Sequence, residues 1–399
     1  MQSQSTDLKE KAHEAFRNQD YPNAIRYLHE ALKYDPGDKE IYYYLGFYYH
    51  YNAYDSRPLA GFNSEYSDTV FYYLEKALDL DPDYGDAKYF YTAECGAAVS
   101  TALRSREYEK LGYFYQKAAD IGGFPPWARE YGRLVLSQVE PDGILVTLGD
   151  FIMNVSRYLQ VCEGYRTDIT VLTWAHLNRP YYVLELKNGE SGRNLKLDLS
   201  EEQIMDMHPY KWDTVSISVD VPENIIETYD LGTGYKMKWS LAPDLFGSIS
   251  YLSSERAIML SIIESNRWVR PIFIQAGIAE TIIPGLHSNL TRSGLVDKLV
   301  PFDTHNTAWE RDIKNLENLV KEESLKDYKT ILETNQPRVS AQVLFRYSTS
   351  LLDLAEHYKL TGQLSKIDYV IDFYKTHLMI GIYPEYERRF LEELQHIRD

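Results

Sequence analysis

The chain is poor in the residues that build self-contained chemical sites. It has 399 residues and two cysteines, Cys95 and Cys162, which excludes a disulfide framework and a cysteine-based zinc site. No run approaches the roughly 18 apolar residues that a membrane-crossing helix needs. No cluster of Lys and Arg stands out and the net charge is −17. A nucleic-acid backbone or an anionic membrane surface is therefore not expected as the main partner, since both attract basic patches. Gly149-Asp150 lies outside any glycine-rich loop, and Gly232-Thr233-Gly234 lacks the third glycine of a phosphate cradle. There is no Gly-x-Ser-x-Gly elbow and no HExxH pair. Asp79-x-Asp81-x-Asp83 opens like a calcium loop, but Tyr84 takes the sixth position and Phe90 the twelfth. No metal and no cofactor is expected. The first residues show neither the charged n-region nor the apolar h-region of a signal peptide. The expectation is a cytoplasmic protein, or a mature chain in which Met1 replaces a removed signal.

Tyrosine is the residue in excess. There are 35, of which 20 fall in the first 131 positions. A tyrosine packs its ring while its hydroxyl stays wet. Such a bias suits the aromatic core positions of helical repeats, a groove that grips an extended peptide, or a face that stacks on sugar rings.

The spacing favours helical repeats. In residues 7–40, Ala12 takes the small position where two helices meet, Asp20-Tyr21 form the turn, and Ala24, Leu28 and Ala31 share one face before Pro36. This is the pattern of a tetratricopeptide repeat, a helix-turn-helix of about 34 residues. A second copy begins at Tyr42, with Leu45-Gly46 and Tyr49, and ends with Tyr73, Leu74, Ala77, Leu78 and Asp81-Pro82. Its extra length falls in Asn52–Phe62, which reads as a loop insertion. Looser helices are expected at 86–104, 108–121 and 127–139. One helical hairpin cannot bury its own apolar face, so hairpins stack into an array. On that array Tyr42, Tyr43 and Tyr49 are the expected peptide-gripping residues.

Composition shifts at Pro141-Asp142-Gly143. The segments Ile144–Leu148 and Asp168–Thr173 read as buried strands, with helices at 151–163 and 180–187. This strand–helix–strand order favours a parallel crossover in a three-layer, Rossmann-like module. Further strands are expected at 214–221 and 235–241, the latter as a hairpin, and at 270–275, with a helix at 253–265. Ligands in such sheets sit beyond the carboxyl ends of the strands, where Asp150, Trp174, His176 and Asn178 fall.

Two segments carry a family resemblance: Ile144-Leu145-Val146-Thr147-Leu148-Gly149-Asp150, and Tyr158-Leu159-Gln160-x-x-Glu163-Gly164-Tyr165-Arg166-Thr167-Asp168. Weaker matches are Asn266-Arg267-Trp268-x-Arg270-Pro271-Ile272-Phe273 and Gly294-Leu295-x-x-Lys298-Leu299-Val300-Pro301. Over 144–302 the chain resembles the soluble extracytoplasmic domain, of unknown function, of bacterial O-mannosyltransferase-like polytopic membrane proteins that also carry tetratricopeptide repeats. The resemblance implies export and a role beside glycan chemistry. Two departures stand against it. The membrane part is absent, and the family's polar run after Gly-Asp is replaced by Phe151-Ile152-Met153-Asn154-Val155.

The carboxyl end reads as an acidic amphipathic helix at 306–326 and a degenerate repeat or capping pair at 340–358 and 364–378, followed by a terminal helix. The expected build is α+β and multidomain: helical hairpins at 1–140, an α/β module at 141–304, and helices at 305–399. Candidate ligand-binding residues are Asp150, Asn154, Tyr165, Arg166, Asp168, His176 and Asn178. The leading expectation is a non-catalytic protein that binds an extended protein segment. A glycan-binding accessory and an enzyme centred on Asp150, Tyr165, Arg166 and Asp168 are the alternatives.

Overall fold

A computed structural model describes residues 2–56, 64–189, 192–304, 313–333 and 337–399. The fold is mixed α+β, with helices in the majority and several small sheets. The chain forms two compact units, Met1–Pro125 with Thr330–Arg338, and Pro126–Lys329 with Val339–Asp399.

The first unit contains helices α1 (Gln2–Arg17), α2 (Tyr21–Leu32), α3 (Lys39–Ser56), α4 (Ser64–Leu80), α5 (Ala87–Arg104) and α6 (Glu109–Asp120). Each helix packs on its neighbour in sequence. The start of α2 shows why the hairpins close where they do. The Asp20 side chain accepts from the backbone N–H of Asn23 at 3.3 Å, and Pro22 sits in the first turn, where its missing donor costs nothing. The apolar stripe of α2, Ala24, Ile25, Leu28 and Ala31, is buried against Ala12, Ile41 and Leu45. Gly46 lets α3 approach α4, because a Cβ there would lie 2.7 Å from Leu74. Helix α3 continues through Asn52–Ser56, so the expected loop does not begin at Asn52. The remainder of that expected insertion falls mainly outside the described residues.

The second unit begins with α7 (Pro126–Ser137), β1 (Ile144–Thr147), α8 (Asp150–Val161), β2 (Thr170–Thr173), α9 (Pro180–Asn188) and α10 (Glu201–Met205). Then come β3 (Tyr210–Lys211), β4 (Val215–Asp220), α11 (Glu223–Thr228), β5 (Lys236–Leu241), β6 (Asp244–Phe246), β7 (Ile249–Leu252) and α12 (Ser254–Asn266). It continues with β8 (Ile272–Gln275), α13 (Ala279–Ile282), β9 (Leu290–Ser293), β10 (Val296–Leu299) and α14 (Lys314–Leu319). Three helices close the chain, α15 (Pro337–Leu360), α16 (Leu364–His377) and α17 (Pro384–Arg398).

The main sheet has the order β2-β1-β8-β10-β9. Strands β2, β1 and β8 are parallel, whereas β10 and β9 run antiparallel. Every residue of β1, β2 and β8 is buried. Strands covered on both faces read as continuous apolar runs, which is how Ile144–Val146 and Ile272–Ile274 announce themselves. The satellite pair β4 and β5 alternates buried and exposed positions, as a sheet with one wet face does. The two strands pair antiparallel, as the expected hairpin requires, with helix α11 in the connection between them. The helix expected across 306–326 is broken. Among the described residues of that stretch, α14 ends at Leu319 and a short 3-10 turn follows at Glu322–Leu325.

Replacing Gly46 with Val puts a branched side chain into the α3–α4 contact. The expected cost is about 1–3 kcal/mol of stability, read as an earlier denaturant midpoint for the loss of helical signal. Unchanged stability would contradict the close approach.

Candidate functional site

The candidates in the second unit fall at opposite edges of the main sheet, separated by strands whose four residues span about 13 Å. At the amino edge, the run Glu163–Asp168 follows α8 and turns back toward β2. Gly164 (φ +65°) and Arg166 (φ +49°) both adopt the left-handed conformation that this reversal requires. Arg166 grips Asp168 with two bonds of 2.8 Å. Its remaining donors reach the carbonyl oxygens of Leu136 at 2.8 Å and Val139 at 3.0 Å, at and just past the end of α7; the Leu136 oxygen also accepts from Val139 N–H at 3.3 Å. The Arg166 hydrogen bonds hold the Asp168 carboxyl down to about 2. Tyr165 carries the Arg133 guanidinium 5.0 Å above its ring, and Arg133 pairs with Glu163. A planar fork with five donors suits this work, and an ammonium would not span it.

Arg270 performs the matching task at the start of β8. It donates to the carbonyl oxygens of Asp142 at 2.7 Å, Asn194 at 2.9 Å and Gly143 at 3.1 Å, and to Thr170 Oγ1 at 2.7 Å. It thereby ties the start of β8 to the starts of β1 and β2. The distinctive Glu-Gly-Tyr-Arg-Thr-Asp run is thus a clamp on backbone oxygens.

At the carboxyl edge, Asp150 opens α8 just after the N-cap Gly149, whose φ of +84° favours glycine. A carboxylate in the first helical turn is favoured by the helix dipole. The loop before it is held by Leu148 N–H donating to Gln275 Oε1 at 3.1 Å. Asn154 is one turn further on and only 2% exposed; its Oδ1 finds no donor among the described residues. His176 is buried edge-on against Tyr182, with ring centroids 5.3 Å apart. The Tyr182 hydroxyl in turn accepts from Thr173 N–H at 3.1 Å. Burial, with Arg179 adding to it, pulls His176 down to about 3, so it is a neutral core histidine at ordinary pH. Asn178 donates to Glu255 Oε1 at 2.7 Å and fastens the end of β2 to α12. The structure therefore gathers Tyr165, Arg166 and Asp168 at one edge and places Asp150, Asn154, His176 and Asn178 at the other.

In the first unit, Tyr42 and Tyr49 turn toward α4, where Tyr73 stacks with both; the Tyr49 and Tyr73 rings are 5.7 Å apart and 4° from parallel. Tyr49 is also hydrogen-bonded to His29 of α2 at 3.1 Å. Tyr43 is buried on a different side, against Tyr84 and Phe90. The half-buried row that α3 shares with α1 and α5 consists of other residues. Tyr44 lies 4.4 Å from His13, Phe47 lies 4.7 Å from Phe90, and Tyr51 lies 5.6 Å from Phe16, all centroid to centroid. Tyr44, Phe47, Tyr48 and Tyr51 follow an i, i+3, i+4, i+7 spacing, a signal visible in the sequence. No comparable spacing marked Asp142 or Arg270.

The model of the family described as TMEM260-associated domain 2 matches residues 188–320. That stretch includes α12, β8, β9 and β10 and shows similarity to a domain of unknown function. No curated protein matches the chain.

Two outcomes follow. Arg166→Met removes the donor from the Val139 carbonyl and the side-chain donor from that of Leu136, and is expected to cost about 1–3 kcal/mol in chemical denaturation. Wild-type stability in that variant would rule out the clamp. His176 takes a proton near pH 6.5 when unfolded and near pH 3 when folded. Between those values the unfolded chain binds the extra proton, so the contribution of His176 is full above about pH 6.5 and is lost as pH falls. His176→Phe is expected to lose less stability than wild type between pH 7 and 5, measured by paired unfolding curves. Equal losses would place His176 in water.

Proposed function

We propose that this chain is a non-catalytic interaction module whose helical hairpins are tetratricopeptide repeats holding an extended protein segment. The observation that carries this reading is the ring row along α1 and α3, in which His13, Phe16, Tyr44, Phe47 and Tyr51 are all half-buried. Rings that keep part of their surface wet at consecutive helices of an array suit an extended partner, which can lay alternate side chains between them. The reading of the second unit is an accessory α/β module with Rossmann-like crossover topology. The engagement of Arg166 and Asp168 with each other and with backbone oxygens supports a structural duty for that run rather than a reacting one.

The resemblance to O-mannosyltransferase-like membrane proteins supports placement on the extracytoplasmic side, next to glycan-transfer machinery. Among the described residues, no helix is long and apolar enough to cross a membrane. The partner would then be an extended segment of a protein in that same compartment.

Site-specific photo-crosslinking tests the reading. A photoreactive residue at Tyr44 is expected to give discrete protein adducts in native extract. The same residue at Tyr113, an exposed position on α6, should not. Adducts of equal yield at both positions, or none at Tyr44, would remove the peptide-holding face.

A further inference from the structure

Beside the start of β8 and the end of β10, the second unit has a partly open cavity of about 150 Å³. It lies within the amino edge of the sheet, away from Asp150 and His176. Trp268 and Tyr229 supply ring surfaces, Ile263 and Ile272 supply apolar wall, and Lys298 and Glu140 supply the polar part. Arg270 also borders it, but its guanidinium is already bonded to three carbonyls and a hydroxyl.

Trp268 is held there against the preference of its backbone. It and Arg267 are consecutive non-glycine residues with φ of +59° and +48°, a conformation that L side chains rarely adopt. The indole is further fixed by its N–H, which donates to the Asp220 carbonyl at 3.2 Å. Its polar edge is thereby engaged while a ring lines the cavity. Strained torsions persist where surrounding structure over-determines them, and they cluster at ligand sites.

The polar end narrows the class of ligand. Lys298 donates to Glu140, so the pair is charge-compensated and favours neither a bare anion nor a bare cation. An ammonium has three donors and a carboxylate two accepting oxygens. Lys298 also bonds the Tyr229 side chain, which places ammonium, phenol and carboxylate side by side, a match for adjacent hydroxyl groups. The volume is that of a cavity that takes a single six-membered ring. An apolar, aromatic-lined site with a few convergent polar groups is the usual form of a small-molecule pocket.

We infer that this cavity binds one pyranose unit, free or at the end of a glycan, with a sugar face against Trp268 and its hydroxyls on Lys298 and Glu140. The inference is independent of the peptide-holding face, which belongs to the first unit.

Titration of the full chain with a panel of methyl hexopyranosides, followed by calorimetry and by the indole N–H resonances, tests it. The chain has six tryptophans, and the Trp268 signal is the one missing from Trp268→Gly. At least one methyl hexopyranoside is expected to bind and to shift that signal. Trp268→Gly accepts a positive φ without strain, so it should keep the wild-type unfolding midpoint or raise it, and it should bind at least tenfold more weakly. Lys298→Met should weaken binding similarly, and it carries the test if the glycine variant does not fold. Tighter binding of oligosaccharides would identify a chain end, and equal binding a free sugar; both support the inference. It is overturned if no pyranoside binds, if benzoate occupies the cavity in preference, or if both variants bind like wild type. None of these results bears on the crosslinking outcome at Tyr44.

Discussion

The second unit depends on two guanidinium groups that satisfy backbone oxygens at the amino edge of its sheet. Arg166 donates to the carbonyls of Leu136 and Val139 at the end of α7, and Arg270 to those of Asp142 and Gly143 at the entry to β1. A buried carbonyl without a donor carries the full penalty of its lost water. The ladder sets the register of the three parallel strands, and these forks add donors to the main-chain oxygens at its start. The fork of Arg270 also crosses from β8 to Thr170 at the head of β2, so three strands separated in sequence share one fastening. What lies at either edge, the α8 amino terminus at one and the ring-sized cavity at the other, takes its position from that alignment.

Much of the fold was legible because its signals are local. The stripe Ala24, Leu28, Ala31 and the cap Asp20 describe a helix without reference to anything distant. Likewise, the short unbroken apolar runs of β1 and β8, bounded by turn residues, fit strands covered on both faces. Strands β6, β7, β9 and β10 were not legible. They are short and carry polar residues such as Thr291, Arg292 and Asp297, so neither alternation nor apolar content separates them from loop. Helix α11 was missed for a similar reason, since six residues with one buried side chain leave almost no periodic signal.

The site was legible in identity more than in duty. Glu163–Asp168 stands out as a run, but its purpose is set by Leu136, Val139 and Glu140, which lie about thirty positions earlier and contribute only main-chain oxygen. Main-chain acceptors leave no trace in a sequence. The tyrosines of α3 make the same point at closer range. Tyr42, Tyr43 and Tyr44 are chemically identical, yet one turns to α4, one is buried against Tyr84 and Phe90, and one meets His13. A rotation of 100° per residue decides between them, and the absolute phase comes from packing.

The pairing of β1 with β8 has a consequence in time. In the first unit each helix finds its neighbour a few dozen residues away, so a ribosome releases partners almost as they are needed. Strand β1 must wait more than a hundred residues for β8, and contacts of such long range close slowly because chain entropy is lost before they form. During synthesis, Ile144-Leu145-Val146 therefore emerges as an apolar ribbon with an unsatisfied edge, the kind of segment on which nascent chains aggregate or recruit chaperones. The helical hairpins upstream can be complete long before then, so the two units mature on different clocks within one polypeptide.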